Sequence, residues 1–323
     1  MGSRKEMIMR AVVSSTVTDR PNVSVADVPV PLPEAGQVQV KLSAAGVNPV
    51  ALVTADPAIV RRLGVPALPD QVGLGWDLAG VVSAVGAGVT VFEIGRPVIG
   101  LVDKFITPIG AQSEYVVLDT HAVAALPDGA DLLAAATLPA NASTARQPLR
   151  LAGAQSGDAV VVTGAAGAVG AFAVEIGSRL GYRMIGVARP ADEELVRCLG
   201  AAEFVAIDPV AADDPAAAVR AVVPDGADVI IDAAILVDKI TGALVEGGSF
   251  VAVNDAAVPT IPGAKVHKVS VRADADDLAA IVADWRAGRL TARVAEQYRF
   301  EQVAEAHDRL RAGGVRGRLL LAP

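Results

Sequence analysis

The stretch VVVTGAAGAVGAFAVEIG, Val160 to Gly177, decides the fold of this chain. It begins with an apolar run that is typical of a strand buried on both faces. A turn of glycine and alanine follows, and a helix pattern starts at Ala168. In this order of strand, tight turn and helix, the backbone N–H groups at the helix N-terminus can bind a phosphate.

The turn matches most of the Gly-x-Gly-x-x-Gly fingerprint of dinucleotide-binding proteins. Gly167 and Gly170 occupy the second and third glycine positions, whereas Ala165 stands at the first. An alanine is acceptable there if its φ stays negative. Gly167 would allow a pyrophosphate to approach the backbone, and Gly170 would let the helix pack against its strand. The motif alone leaves open a tight turn that binds no ligand.

The end of the next predicted strand bears on the choice of dinucleotide. In NAD-binding proteins, an Asp or Glu about 20 residues further on holds the ribose 2′-OH. Here the chain reads Gly186-Val-Ala-Arg189-Pro-Ala-Asp192, with an arginine at that place. Because a guanidinium matches a phosphate in geometry and charge, we predict NADPH, with Arg189 on the 2′-phosphate. A solvated surface arginine is the alternative, and the acidic residues from Asp192 onward could weaken phosphate binding.

Strand and helix signals alternate beyond this stretch and predict a parallel, doubly wound sheet. The predicted strands are 159–163, 183–188, 203–208, 228–234 and 248–253, and the predicted helices are 168–180, 192–199, 214–223 and 239–244. A single helix over 131–151 precedes them. The first 125 residues instead show short alternating strands between Gly and Pro turns, such as 37–42. The sequence therefore predicts an α/β protein with a β-rich domain, 1–125 and 271–323, interrupted by a dinucleotide-binding domain, 126–270.

Composition excludes several classes of function. The 323 residues carry a formal net charge of −8, which argues against binding to nucleic acid or to an anionic membrane. No apolar run reaches the ~18 residues of a spanning helix. The single cysteine, Cys198, allows no disulfide framework, so a reducing cytoplasm is the expected location. We expect Cys198 itself to be buried on its predicted helix.

Taken together, the motifs resemble the medium-chain dehydrogenase/reductases, specifically the zinc-free quinone oxidoreductase branch. The resemblance covers nearly the whole chain, and the motifs lie in the same order as in the family. Besides the glycine-rich turn, they include Ala44-Ala-Gly-Val-Asn-Pro-Val50, Gly75-Trp-Asp-Leu-Ala-Gly80, Phe92-Glu-Ile-Gly-Arg-Pro97, Ser113-Glu-Tyr-Val-Val117, Leu126-Pro-Asp-Gly129 and Val315-Arg-Gly-Arg-Leu319. The resemblance implies a GroES-like catalytic domain and a Rossmann domain for the nicotinamide cofactor. It also implies a homodimer that pairs through the Rossmann sheet edge near 249–253 and 265–271.

The resemblance also bears on metal binding. Zinc-dependent relatives place their catalytic ligands at the positions that are Asn48, Trp76 and Ala140 here. None of these three side chains supplies a thiolate or an imidazole, and one cysteine cannot build a structural zinc lobe. We therefore expect no metal site.

The resemblance implies a set of site residues. Asn48 and Thr144 are the candidate catalytic residues and are also expected near the nicotinamide end of the cofactor. The remaining expected cofactor contacts are Ala166, Gly167, Ala168, Val169, Arg189, Ala233, Val253, Asn254 and Arg318. The alternative roles are a turn residue before a proline for Asn48 and an ordinary helix residue for Thr144. Related enoyl reductases often have a tyrosine shortly after the Asn-Pro-Val segment. This chain lacks it there, so solvent is a candidate proton donor.

Two functions fit these observations. The first is an NADPH-dependent oxidoreductase that transfers hydride to a quinone or an α,β-unsaturated carbonyl, because such acceptors need no Lewis acid. The second keeps the fold but not the redox chemistry, as an isomerase, a cyclase or a small-molecule binding protein. The altered segment after Asn48 motivates the second, and the phosphate turn with Arg189 favours the first.

Overall fold

The computed structural model describes residues 7–18, 20–65, 67–207, 214–253 and 258–323. Its strands are β1 (Ile8–Ser15), β2 (Val23–Pro29), β3 (Gln37–Val47), β4 (Gln71–Gly73), β5 (Asp77–Val85), β6 (Pro97–Leu101), β7 (Tyr115–Asp119), β8 (Val123–Ala125), β9 (Ala159–Thr163), β10 (Arg183–Ala188), β11 (Glu203–Ala206), β12 (Ala227–Asp232), β13 (Leu244–Ala252), β14 (Lys265–Lys268), β15 (Val294–Arg299) and β16 (Arg318–Ala322). Its α-helices are α1 (Pro49–Thr54), α2 (Pro57–Arg62), α3 (Leu132–Ala135), α4 (Pro139–Ala152), α5 (Ala168–Arg179), α6 (Glu193–Cys198), α7 (Pro215–Val222), α8 (Asp238–Thr241), α9 (Ala275–Arg286) and α10 (Val303–Arg311).

The chain forms two compact units, and the second is inserted into the first. The first unit comprises Met1–Ala140, Arg272–Arg286 and Ala292–Pro323, and the second comprises Asn141–Val271 and Ala287–Thr291. The sequence-based division placed the first boundary earlier, after residue 125, and the second after residue 270.

The second unit is built on a six-stranded parallel sheet in the order β11-β10-β9-β12-β13-β14. Every residue of β9 is buried, which explains why this strand is a continuous apolar run. The chain starts at β9, builds outward through β10 and β11, and then returns to β12 on the other side of β9. This confirms the predicted doubly wound sheet and places its topological switch point between β9 and β12.

The first unit is organised around the long strand β3. It pairs with β5 along one edge and with β7 and β16 along the other, within a seven-stranded sheet in which only β15 and β16 are parallel. β1, β2 and β4 form a separate antiparallel sheet. The sequence predicted strand 37–42, but β3 continues to Val47, because Leu319 and Leu321 of β16 pair with Val47 and Ala45. Ala45 and Val47 of this extension are buried in the apolar core of the unit.

Two local expectations were wrong. The predicted helix 131–151 is two helices, α3 and α4, because Pro139 has no backbone N–H to continue α3 and instead begins α4. Cys198, at the end of α6, is exposed rather than buried. No helix in the described ranges is long and apolar enough to cross a membrane.

Candidate functional site

The glycine turn, residues 164–170, has the conformation that its small residues predict. Gly164 adopts the left-handed conformation, with φ 64°. Among the described non-glycine residues only Ile235 and Val237 have positive φ. The φ of Ala165 is therefore negative, as an alanine at the first glycine position of the fingerprint requires. The glycine that the tight turn requires therefore lies one residue before the fingerprint position.

Gly167 and Gly170 have different roles in this turn. A Cβ at Gly170 would lie 2.2 Å from the carbonyl oxygen of Gly164, so only glycine lets α5 pack this closely on the turn. A Cβ at Gly167 would approach only that same oxygen, at 3.0 Å. Gly167 caps α5, whose first-turn N–H groups have no acceptor within the helix. The turn thus places the N-terminus of α5 directly after β9, which is the arrangement on which the predicted pyrophosphate site depends.

The parallel register brings the ends of four strands into one row. Val187 of β10 lies beside Thr163 of β9, Thr163 beside Asp232 of β12, and Asp232 beside Ala252 of β13. The residues that follow these strand ends include most of the predicted cofactor contacts of the second unit: Ala166, Gly167, Ala168, Val169, Arg189, Ala233 and Val253. Asn254, predicted with them, lies outside the described residues. The sheet thus gathers at one edge the residues that the sequence spreads over about 90 positions.

Arg189 lies directly after β10 at this edge. Its side chain is exposed, and within the described chain no acceptor hydrogen-bonds its guanidinium. The neighbouring Glu193 is ion-paired with Arg197, with 2.8 Å between Oε1 and Nε. One of the acidic residues that could weaken phosphate binding is therefore already paired with a cation.

A buried pair at the same edge was missed by the sequence reasoning. The Thr163 hydroxyl donates to Asp232 Oδ1 at 2.6 Å and accepts from the backbone N–H of Ala234 at 2.9 Å. Thr163 and Asp232 are 0% and 1% exposed. The available signal was a polar residue ending each of two apolar strands, Val160-Val-Val-Thr163 and Val229-Ile-Ile-Asp232.

The first unit contains a second buried polar group, the Asp77 cluster, formed by Asn48, Asp77, Ala140 and Arg318. Asp77 Oδ2 accepts from Asn48 Nδ2 and from Arg318 Nη2, each at 2.8 Å, and Oδ1 accepts from the backbone N–H of Ala140. Asp77 is 0% exposed and Asn48 is 4% exposed. Because a carboxylate only accepts, it fixes which end of the Asn48 amide faces inward and commits one of its hydrogens.

Arg318 is held within this cluster. Burial lowers the pKa of its guanidinium, and the carboxylate of Asp77 acts in the opposite direction. Gly46 makes room for the pair, since a Cβ there would lie 2.5 Å from Asp77 Oδ2. The expectation that Arg318 contacts a cofactor stays a prediction, and the structure gives its guanidinium this structural partner.

Thr144 lies on α4, in the second unit, and is half-buried. Its hydroxyl has no hydrogen-bond partner in the part of the chain that the structure describes, so it is not bonded to its own helix backbone. Searched over the same residues, no three His, Cys, Asp or Glu side chains gather closely enough to hold a metal ion.

The sheet order of the second unit, with two strands outward from β9 and three on its other side, is that of dinucleotide-binding Rossmann domains. Comparison with known families agrees with both units. A family described as alcohol dehydrogenase GroES-like domain matches residues 34–128, and one described as zinc-binding dehydrogenase matches residues 199–321.

Individual relatives match over nearly the whole chain. A quinone oxidoreductase of Pongo abelii is 29% identical over 313 residues, which is 92% of this chain and 92% of its own. The NADPH-dependent alkenal/one oxidoreductase, chloroplastic, of Arabidopsis thaliana is 28% identical over 315 residues, 92% of this chain and 75% of its own. The crystal structure of an NAD-dependent alcohol dehydrogenase superposes with a TM-score of 0.83 at 28% identity, covering 98% of this chain and 100% of that chain.

This chain belongs to the medium-chain dehydrogenase/reductase superfamily of oxidoreductases and is quinone oxidoreductase-like within it. Oxidoreductases of this superfamily use nicotinamide cofactors. The predicted resemblance to quinone oxidoreductase-like medium-chain dehydrogenase/reductases and the predicted fold class are therefore confirmed.

Proposed function

We propose that this protein is an NADPH-dependent, zinc-independent oxidoreductase that transfers hydride to a quinone or an α,β-unsaturated carbonyl. The observation that carries the cofactor choice is the position of Arg189. The strand before it, β10, is hydrogen-bonded to β9, and the N–H of Ala165 in the glycine turn donates to the carbonyl of Val187 at 3.1 Å. An exposed guanidinium thus stands beside the turn on the side where the adenine ribose of a dinucleotide would lie. A 2′-phosphate offers the negative charge and the paired oxygen acceptors that a planar guanidinium recognises.

Zinc independence is supported by the donor chemistry of this chain. The positions at which zinc-dependent relatives place their ligands are Asn48, Trp76 and Ala140, and the Asn48 amide is bonded to Asp77. Metal analysis of the purified protein should find less than one zinc per chain. One tightly bound equivalent would contradict this part of the proposal.

The acceptor class follows from the same lack of a Lewis acid. Bound NADPH would supply the hydride, and a quinone or conjugated enone can take it at carbon because resonance stabilises the resulting anion. The protein then needs to position the reactants and stabilise developing negative charge. Asn48, held by Asp77, keeps a second amide hydrogen for this purpose, and solvent can supply the proton that completes the product.

The test of the cofactor choice is Arg189→Ala, assayed with both NADPH and NADH. We expect the KM for NADPH to rise by about 10- to 100-fold, as the loss of a charge-assisted contact predicts, with little change for NADH. Arg179→Ala is the matched control. Arg179 is also exposed, but it is the last residue of α5. Nearby, the Gly181 carbonyl accepts from the N–H of Gly157, which precedes β9, so Arg179 lies at the end of the strands opposite to the glycine turn. Equal effects of Arg189→Ala on the two cofactors would refute the assignment.

The test of the reaction is oxidation of NADPH with a panel of quinones and enones. We expect turnover with at least one member and none without an acceptor. Tight NADPH binding without any oxidation would instead favour the non-redox isomerase, cyclase or binding function.

We also propose that the protein is a homodimer that pairs through β14. In the described chain, β14 is one of the two edge strands of the parallel sheet and pairs only with β13. An edge strand presents unpaired N–H and C=O groups that a second copy can satisfy. Sedimentation at micromolar concentration should give twice the chain mass, and a monomer there would contradict the dimer.

A further inference from the structure

The loop after β12, residues 233–237, has an unusual backbone. Ile235 has φ 59°, and Val237 has φ 45° with ψ −118°. Both side chains are β-branched, and such residues rarely adopt positive φ because the Cβ crowds the backbone. The Ile235 side chain is also 55% exposed, although it is large and apolar. A conformation this unfavourable persists only where surrounding contacts impose it.

Asp232 supplies those contacts. Its Oδ1 accepts from the N–H of Leu236 at 3.1 Å, and its Oδ2 accepts from the N–H of Val237 at 2.9 Å. Thr163 bonds both to Asp232 and to the N–H of Ala234, so it fixes the first half of the loop. One buried carboxylate and one buried hydroxyl therefore hold the backbone N–H groups of Ala234, Leu236 and Val237 in the 233–237 loop.

The loop lies at the switch point of the sheet. It follows β12 and packs on the glycine turn after β9, since a Cβ at Gly164 would lie 3.3 Å from Cβ of Ala234. Ligands of open parallel sheets bind outside the strand ends at this point. Arg189 follows β10, on one side of β9, and the 233–237 loop lies on the other side. A dinucleotide whose 2′-phosphate meets Arg189 and whose pyrophosphate meets the turn must place its nicotinamide half toward this loop.

We propose that Asp232 is a positioning residue that holds the 233–237 loop ready for the nicotinamide half of the cofactor, and that Ile235 is a binding contact for that half. The proposal rests on the proposed function. The strained backbone projects the Ile235 side chain outward, and its apolar surface would pack against the nicotinamide riboside. The Asp232 carboxylate touches only the protein.

The first experiment compares Asp232→Asn with Asp228→Asn. Both replace a carboxylate of β12 by an isosteric amide, but Asp228 lies at the other end of the strand, where it accepts from the N–H of Ala159 at 2.8 Å. An amide cannot accept both loop N–H groups through two oxygens. In the free protein, we expect hydrogen exchange at Leu236 and Val237 to accelerate by about tenfold or more in Asp232→Asn only. Unchanged exchange in this variant would overturn the positioning role.

The second experiment measures binding of NADPH and of 2′,5′-ADP, which carries only the adenine half with its 2′-phosphate. We expect Asp232→Asn to weaken NADPH by about tenfold and to leave 2′,5′-ADP unchanged. Ile235→Gly should do the same, and it keeps the test available if Asp232→Asn does not fold, because glycine accepts the backbone conformation of this position.

The outcomes separate the two proposals. A wild-type protein that binds neither NADPH nor 2′,5′-ADP would reject the proposed function itself. A wild-type protein that binds both, with variants that bind NADPH equally well, would reject the roles of Asp232 and Ile235 alone. Equal loss of NADPH and 2′,5′-ADP in both variants would also reject them, because it indicates general damage to the site.

Discussion

Replacing Arg318 by methionine tests whether the Asp77 cluster stabilises the first unit. The variant removes a cation whose side chain is 5% exposed and leaves the Asp77 carboxylate, at 0%, with only the neutral donors of Asn48 and Ala140. Breaking a buried pair in this way costs about 3–5 kcal/mol, because the remaining charge is desolvated without its counter-ion. Since two neutral donors remain, we expect the lower end of the range, about 3 kcal/mol. For a unit of this size that corresponds to a melting temperature lower by about 10 °C.

The assay is thermal unfolding followed by circular dichroism, with Arg311→Met as the control. Arg311 pairs with Asp308 at 2.8 Å, but both side chains are largely exposed, so this pair should contribute no more than about 1 kcal/mol. The double variant Asp77→Asn/Arg318→Met should be more stable than the sum of the two single losses predicts, by about 2 kcal/mol. A melting temperature within about 2 °C of wild type for Arg318→Met, or strict additivity in the cycle, would refute the reasoning.

Two further predictions concern packing and pH. Gly170→Ala should lower the melting temperature of the second unit, because its Cβ would lie 2.2 Å from the Gly164 carbonyl oxygen. Gly167→Ala, whose Cβ has its nearest contact at 3.0 Å, should lower the melting temperature less. Burial is the main cause that lowers the pKa of His307 to about 4, with Arg311 acting in the same direction and Asp308 against it. Because His307 has its ordinary pKa of 6.5 in the unfolded chain, the unfolded chain takes up this proton at a higher pH than the folded chain does. The free energy of unfolding should therefore be highest above about pH 7. It should fall by about 2 kcal/mol at about pH 5, and urea titrations should show that His307→Phe lacks this part of the decrease.

The sequence predicted most of the second unit, because its structural signals are local. The predicted strands 159–163 and 183–188 coincide with β9 and β10, since strands buried on both faces are apolar over most of their length. Gly167, Gly170 and Arg189 could be selected as candidate residues because each is identified by its distance from the end of a strand. The prediction of a single helix over 131–151 was wrong, because a proline within a helical pattern can end one helix or begin another, and the pattern alone does not distinguish the two.

The remaining features depend on contacts between residues far apart in the chain. Asp77 and Arg318 are separated by 241 positions, and Thr163 and Asp232 by 69, so only the order and register of the strands bring their side chains together. Local propensity also predicts negative φ for Ile235 and Val237, and the buried Asp232 carboxylate overrides it. The sequence by itself determined that this chain forms a parallel sheet with a glycine-rich turn between β9 and α5, because both depend on neighbouring residues. Only the tertiary structure decided that Asp77 holds Asn48 and Arg318 and that Asp232 holds the 233–237 loop. A hydrogen bond between distant residues leaves no periodic pattern in the sequence.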